Sequence, residues 1–354
     1  MANPHLRQTS RIPPRFTATL EWGTGYEALL ALSMFTGDER QDSYEVGKAW
    51  FTRARAAASR RLVTALRTLV GRDGSRWFLL LGMVHEAGGD HDVARLASRI
   101  GSSRPGDVLI ALVGGRTPAL QTAEGRSLVR SMLAGDSKAA LAVAERAHGS
   151  PTVTRRLIQQ GAAEVRRLTL EVIERFTREV FTSMGDNAAA LEADIGARAR
   201  SARRMSASHL IDVATGGISY EGEAGIDQVL LVPSVVTRPW ITISDWDSTK
   251  IICYRASQGG RTAGGEPDQD LVLVYRALGD ETRLRLLREL AAGDRRLAEL
   301  SKTLGLAKST LHGHLGVLRS AGMVRVRIGA EKKYGLRPGL PDLNRILAEY
   351  IGGG

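Results

Sequence analysis

From Tyr26 to about Arg204, apolar residues recur at steps of three and four, the spacing that lines one face of a helix. Leu62, Leu66 and Leu69 make one such stripe, and Ile158, Val165, Leu168 and Val172 make part of another. Ser150 before Pro151 predicts a helix start, with the serine as cap and the proline in the first turn, where its missing N–H costs nothing. That helix is expected to run to about Met184, where Gly185, Asp186 and Asn187 break it. Around His209 the texture changes. Runs at 218–220, 229–232, 240–243 and 251–254 are short and β-rich, between turn-forming Gly, Pro and Asp, and predict a small sheet of three or four strands. Residues 256–268, with Gly259-Gly260 and Gly264-Gly265, hold almost no apolar side chain and read as a linker.

Beyond the linker the helical period returns with Leu273, Tyr275 and Leu278. Asp280 is a cap for a helix over 281–292, with Leu284, Leu287 and Leu290 on its inner face and Gly293 at its end. A short helix over 297–304, Gly305 where left-handed backbone suits glycine, and a longer helix over 307–321 closed by Gly322 make a helix-turn-helix. Runs at 323–328 and 332–336, around Gly329-Ala330, predict a hairpin, the wing. On the longer helix Leu311, Leu315 and Leu318 pack inward. The opposite face carries Lys308, Ser309, His312, Gly313, Gly316 and Arg319 and is expected in the major groove of double-stranded DNA. Lys308, Ser309 and Thr310 stand at the helix N-terminus, where backbone amides add to the attraction for phosphate. His314 flanks that face, and both a phosphate contact and a helix-packing role are open to it. Arg325, Arg327, Lys332 and Lys333 lie on the wing and suit backbone or minor-groove contacts.

Charge strengthens this picture. The 354-residue chain carries a net +11. Between 271 and 340 fourteen basic residues face six acidic ones, so most of the excess falls in about a fifth of the length, as expected of a DNA-binding segment. Hydrophobic residues make up 43% of the chain but aromatics only 5%, so aliphatic side chains must build the core. The single cysteine, Cys253, excludes an intramolecular disulfide and fits a reducing compartment. The polar first sixteen residues, with Pro13-Pro14, lack a signal peptide's apolar run, and no run approaches the roughly 20 residues that span a bilayer. A cytoplasmic protein without membrane association is expected.

The segment 275–287, Tyr-Arg-Ala-Leu-Gly-Asp-Glu-Thr-Arg-Leu-Arg-Leu-Leu, resembles the opening helix of the ArsR family of winged-helix regulators. The segment 297–324 resembles that family's helix-turn-helix, with Lys308, Ser309, Thr310, His314 and Leu315 matching its recognition-helix run. The resemblance implies a winged helix, a dimer and a regulator, and it covers about 70 residues beside the charge and motif signals. Two positions depart from the pattern. His312-Gly313 stands where Ser then His is usual, and Gly316 where Lys or Arg is frequent. Each glycine costs about 1 kcal/mol in a helix interior relative to alanine. Closer approach to DNA and drift in a weakly specific face are both open as explanations.

Some ArsR-like proteins bind metals through cysteines on the first helix of the motif or through His and acidic residues on a C-terminal helix. Residues 295–304 hold no Cys and the tail helix over 343–350 no His, so no metal is expected there. His85, Glu86, Asp90, His91 and Asp92 look like a metal cluster, but Gly88-Gly89 makes them a polar turn with Asp90 or His91 near a helix start. Cys253, on an apolar strand, is expected to be a buried small hydrophobe. No Walker run, dinucleotide fingerprint or Gly-x-Ser-x-Gly is present.

The expected architecture is mainly α with a small β-sheet: a flexible N-terminus (1–16), a helical effector or dimerisation domain (17–206), a small β-rich subdomain (207–255), a linker (256–268) and a C-terminal winged helix-turn-helix domain (269–354). The expected function is a DNA-binding transcription regulator, a homodimeric repressor controlled through its N-terminal domain by a small-molecule or protein effector, without cofactor or catalysis. The tail helix, with Leu343, Ile346 and Leu347 on one face, is expected at the dimer interface. The alternatives are an enzyme, or an oligomerisation platform, tethered to DNA by the winged helix.

Overall fold

The computed structural model describes residues 16–37, 41, 44–185, 187–257, 269–329, 331–338, 347, 350 and 351. The fold is mainly helical, with a small sheet layered between a helical unit and a C-terminal winged helix. A strand, β1 (Thr17–Leu20), precedes ten helices: α1 (Thr24–Thr36), α2 (Gly47–Ala57), α3 (Arg60–Leu69), α4 (Leu81–Ala87), α5 (Val93–Ser102), α6 (Pro105–Leu112), α7 (Ala123–Leu133), α8 (Ser137–Arg146), α9 (Pro151–Gln160) and α10 (Ala162–Glu179). Then come α11 (Ala188–Ala202), α12 (Ala207–Thr215), β2 (Ile218–Tyr220), β3 (Gln228–Ser234), β4 (Thr242–Trp246) and β5 (Thr249–Arg255). The C-terminal part holds α13 (Gln269–Leu278), α14 (Glu281–Ala291), α15 (Leu297–Leu304), α16 (Lys308–Ser320), β6 (Val324–Ile328) and β7 (Lys333–Leu336).

The sheet runs β1-β3-β5-β4, with β1, β3 and β5 parallel and β4 antiparallel to β5. Side chains alternate across a strand, and here the alternation serves two cores. Leu230, Val232, Ile251 and Cys253 face the helices α1–α10, whereas Val229, Leu231, Ile252 and Tyr254 face the core shared with α12 and the winged helix. Parallel strands buried on both faces read as unbroken apolar runs, which is why 229–232 and 251–254 stand out in the sequence.

The sheet departs from the one expected within 207–255. It takes its first strand from residues 17–20 and loses β2, which pairs parallel with β6 of the wing. Four residues with two threonines are too short a pattern to announce an edge strand. Phe16, placed with the flexible N-terminus, packs edge-on against Tyr220 at 4.8 Å. Trp240 and Ile241 precede β4 and are not strand residues. The long helix expected from Pro151 to Met184 is two, because Gly161 takes a positive φ of 81° that ends α9. Ser150 and Pro151 begin α9 as expected, but the Ser150 backbone is held by Asp73 and Arg76. Leu290 is buried as expected, but Leu284 is exposed and α14 buries Leu286 in its place. Within the expected linker, Ala256 and Ser257 are ordered: the Ala256 amide donates to Ser234, and the Ser257 amide and hydroxyl to Asp194. Residues 258–268, Leu343, Ile346, Asp186 and Ala330 lie outside the described residues.

Candidate nucleic-acid interface

Local sequence sets the helix-turn-helix. The Asp280 carboxylate caps α14 by accepting the Arg283 amide at 3.0 Å. Gly305, at φ 67°, ends α15 in left-handed backbone and turns the chain toward α16. Leu311, Leu315 and Leu318 are buried and fix the rotation of α16. Ala307 precedes α16 and offers no side-chain acceptor to its first amides. Lys308, Ser309 and Thr310 are exposed there, a suitable end for a phosphate. His312 is also exposed, and nothing lies within 4 Å of a Cβ built on Gly313. His314 turns toward the start of α14, with Nδ1 3.7 Å from the Asp280 carboxylate, so the packing role fits it.

The wing is larger than a hairpin. Arg295 bridges to Tyr334 beside β7, and β2 adds a third strand along the outer edge of β6. The Val326 amide donates to Gly217, and the Glu221 amide to Ile328. One wing face, Val324, Val326, Ile328 and Tyr334, is buried; the other carries Arg325, Arg327 and Lys333. Asp294 lies over Gly335, where an added Cβ would come 2.0 Å from its Oδ1. It accepts from Arg325 at 3.1 Å and pairs with Arg327 at 3.0 Å, and Arg327 also reaches Glu221 at 3.2 Å. These two wing arginines, for which backbone or minor-groove contacts are expected from sequence, are paired with acidic side chains within the protein. Lys332 is exposed, and Lys333 lies 3.8 Å from Glu331.

The side of α16 that looks toward the wing is covered by Trp240, which the sequence pattern places in a strand and not at this face. A Cβ on Gly316 would lie 2.1 Å from Cζ3 of Trp240, so the indole rests on the helix backbone. Trp240, Ile241 and Ile243 line a small cavity of about 160 Å³ with His312, Arg319, Lys332 and Tyr334. Arg319 keeps part of its surface in water, yet desolvation pushes its guanidinium down to about 10, against a smaller opposing pull from Tyr334. Lys332 is exposed as a residue, yet its ammonium, 5.7 Å from the Tyr334 ring centre, is pushed down by desolvation and by Arg319. Neither cation has a carboxylate partner among the described residues. The sequence marks this contact only through Gly316, a helix-interior glycine on an outward face.

His85 and His91 do come together, but on a carboxylate. Glu21 meets His85 Nδ1 at 3.0 Å and His91 Nε2 at 2.6 Å, and Tyr26 donates to it at 2.6 Å. Among the described residues no group of three or more His, Cys, Asp or Glu is placed to hold a metal ion. Cys253 is buried within the sheet, and burial raises its thiol. No described helix is long and apolar enough to cross a membrane.

Residues 280–326 match the family model described as bacterial regulatory protein, arsR family. That segment spans α14, α15, α16 and the start of the wing, so the C-terminal part is an ArsR-like helix-turn-helix and the chain carries a DNA-binding transcription-regulator domain. No curated protein and no solved structure matches the chain.

Proposed function

We propose that the chain is a dimeric transcription repressor that reads duplex DNA with α16 and the wing and is controlled through its N-terminal helices. The observation that carries this reading is the exposed row Lys308, Ser309, Thr310 and His312 along α16, beside Arg319 and Lys332, two cations without a carboxylate partner among the described residues. In the proposed complex the N-terminal amides of α16 and Lys308 take phosphate, His312 faces bases, and Lys332 and Lys333 meet the adjacent backbone. Arg325 and Arg327 join only by exchanging Asp294 for phosphate. The protein is proposed to act in the cytoplasm, where its DNA is.

The homodimer is proposed to use α13 and α14, which expose Val272, Tyr275 and Leu284. The small-molecule effector is proposed to enter an apolar cleft of about 610 Å³ bounded by Leu109, Met132, Leu133, Leu141 and Ile158, with Arg155 at its rim. A non-catalytic role is supported by where two buried carboxylates lie. Glu27 and Asp194 are spent on hydrogen bonds inside the fold rather than opened to a cleft.

Fluorescence anisotropy of the full chain with a mixed-sequence duplex across a salt series tests the DNA reading. Affinity is expected to fall steeply as salt rises. Absence of binding at low salt would overturn it.

A further inference from the structure

The Trp240 contact joins two parts of the molecule that do different things. Trp240 belongs to the segment between β3 and β4, and that segment is held by the helical unit. The buried Glu27 carboxylate of α1 accepts the Val235 amide at 3.0 Å, the Val236 amide at 2.7 Å and the Ser234 hydroxyl at 2.8 Å. Glu45, just before α2, pairs with Arg238 at 2.6 Å. The Trp240 amide donates back to Thr237 at 2.8 Å. Where the indole sits is thus set by α1 and the start of α2.

On the other side, Trp240 seats on α16 and lines the concavity between that helix and the wing. A winged helix presents its recognition helix and wing together to one duplex. A sugar–phosphate strand lying across both would need the space the indole occupies. The charges there fit an anion better than an indole. Arg319 and Lys332 approach the same cavity without an acid among the described residues to balance them, and such crowding is relieved by phosphate. Gly316 also gains a reason. Only a residue without Cβ lets Trp240 seat on the helix, whereas a glycine facing open groove would spend helix stability for no contact.

We propose that Trp240 is an autoinhibitory wedge: seated on Gly316, it competes with duplex DNA for the concavity between α16 and the wing, and DNA engages fully once the segment 235–241 releases it. The inference rests on the DNA-binding reading of the C-terminal domain. Linkage then requires that whatever favours the seated wedge weakens DNA binding, and that DNA favours its release.

The test attacks the contact from both sides in the full chain. Trp240→Ala removes the wedge. Gly316→Ala leaves the indole but places a methyl in its seat, and alanine favours the helix, so folding is retained. With a seated population in roughly tenfold excess, each variant binds a mixed-sequence duplex about tenfold more tightly than wild type, and the double variant gains no more than either alone. Fluorine NMR of fluorotryptophan-labelled wild type, with Trp240 assigned through Trp240→Phe, is expected to show that resonance moving on addition of the duplex. Unchanged or weaker binding by folded Gly316→Ala, or a Trp240 resonance indifferent to DNA, overturns the wedge while leaving DNA binding intact. No binding by any form, wild type included, overturns the DNA reading and the wedge with it.

Discussion

Nε2 of His91 lies 2.6 Å from Oε1 of Glu21, fastening the loop before α5 to the end of β1. The other carboxylate oxygen takes His85 and the Tyr26 hydroxyl. In Glu21 burial works to raise the carboxyl, but the hydrogen bonds from His85 and Tyr26 and the two imidazoles together hold it below its ordinary value. His85 is raised, chiefly by its hydrogen bond to Glu21.

The signs define a pH window. A depressed carboxylate stabilises above its unfolded pKa and loses that contribution as pH falls through the folded value. A raised histidine stabilises fully below its unfolded pKa, about 6.5, and loses the contribution as pH rises through the folded value. The cluster is therefore expected to contribute most between the carboxylate range and about pH 6.5. Thermal melts of wild type and His85→Gln from about pH 5 to about pH 8 check this: the difference in Tm should be largest within the window and shrink as pH rises above it. A difference that grows with pH contradicts the pairing.

The wing charges should separate into two classes. Lys332 and Lys333 stand where phosphate can reach them, and each change to alanine should lower the salt slope of DNA binding by about 1. Arg325 and Arg327 are already paired with Asp294, so their removal should cost stability more than salt slope. Asp294→Ala releases Arg325 and leaves Arg327 only its Glu221 contact, and should strengthen binding to mixed-sequence DNA and steepen its salt dependence. Anisotropy titrations over a salt series, with melts of the same variants, distinguish the two classes. Equal slopes for all four basic-residue variants would contradict it.

The helix-turn-helix was legible because its determinants are local. Asp280, Gly305 and Gly322 mark ends that backbone geometry imposes, and Leu311, Leu315 and Leu318 show the helix period without help from the rest of the chain. What could not be read was set by distant partners. The pairing of residues 17–20 with β3 joins segments about 200 residues apart, and no local pattern marks it. The same holds for Trp240 on Gly316 and for Asp294 over Gly335. Gly316 was conspicuous from sequence as a helix-interior glycine on an outward face, but its partner lay beyond the reach of periodicity. The two histidines were likewise noticed together, while the carboxylate that joins them sits more than sixty residues upstream.

Glu27 tests the anchorage of the segment that carries Trp240. Its side chain is fully enclosed, and burial raises its carboxyl despite hydrogen bonds from Ser234, Val235, Val236 and Asn187. Glu27→Ala strands two backbone amides in the interior and is expected to destabilise the fold by about 2 to 4 kcal/mol. Glu27→Gln keeps one acceptor and should cost less. Denaturant unfolding of the three proteins ranks them, and a Glu27→Ala variant as stable as wild type would show that the segment is held by other means.

The proposed dimer rests on three apolar side chains that folding leaves in water. Val272 and Tyr275, three residues apart, share a face of α13, and Leu284 projects from the neighbouring α14. They are 38%, 40% and 49% exposed, unlike Leu286 and Leu290 on the same pair of helices, which are buried. Burying a leucine of this kind is worth about 1.5 to 3 kcal/mol, so a second copy covering this face gains at each of its two symmetric contacts. Placing a carboxylate there reverses the gain without touching the core. Leu284→Glu should shift the protein toward monomer in sedimentation equilibrium while leaving its thermal stability near wild type at concentrations where wild type is monomeric. Because a dimer engages two half-sites together, the same variant should lose more affinity for a long duplex than for one too short to hold two copies. Wild type that remains monomeric at high concentration, or a Leu284→Glu dimer as tight as wild type, would place the association surface elsewhere or remove it.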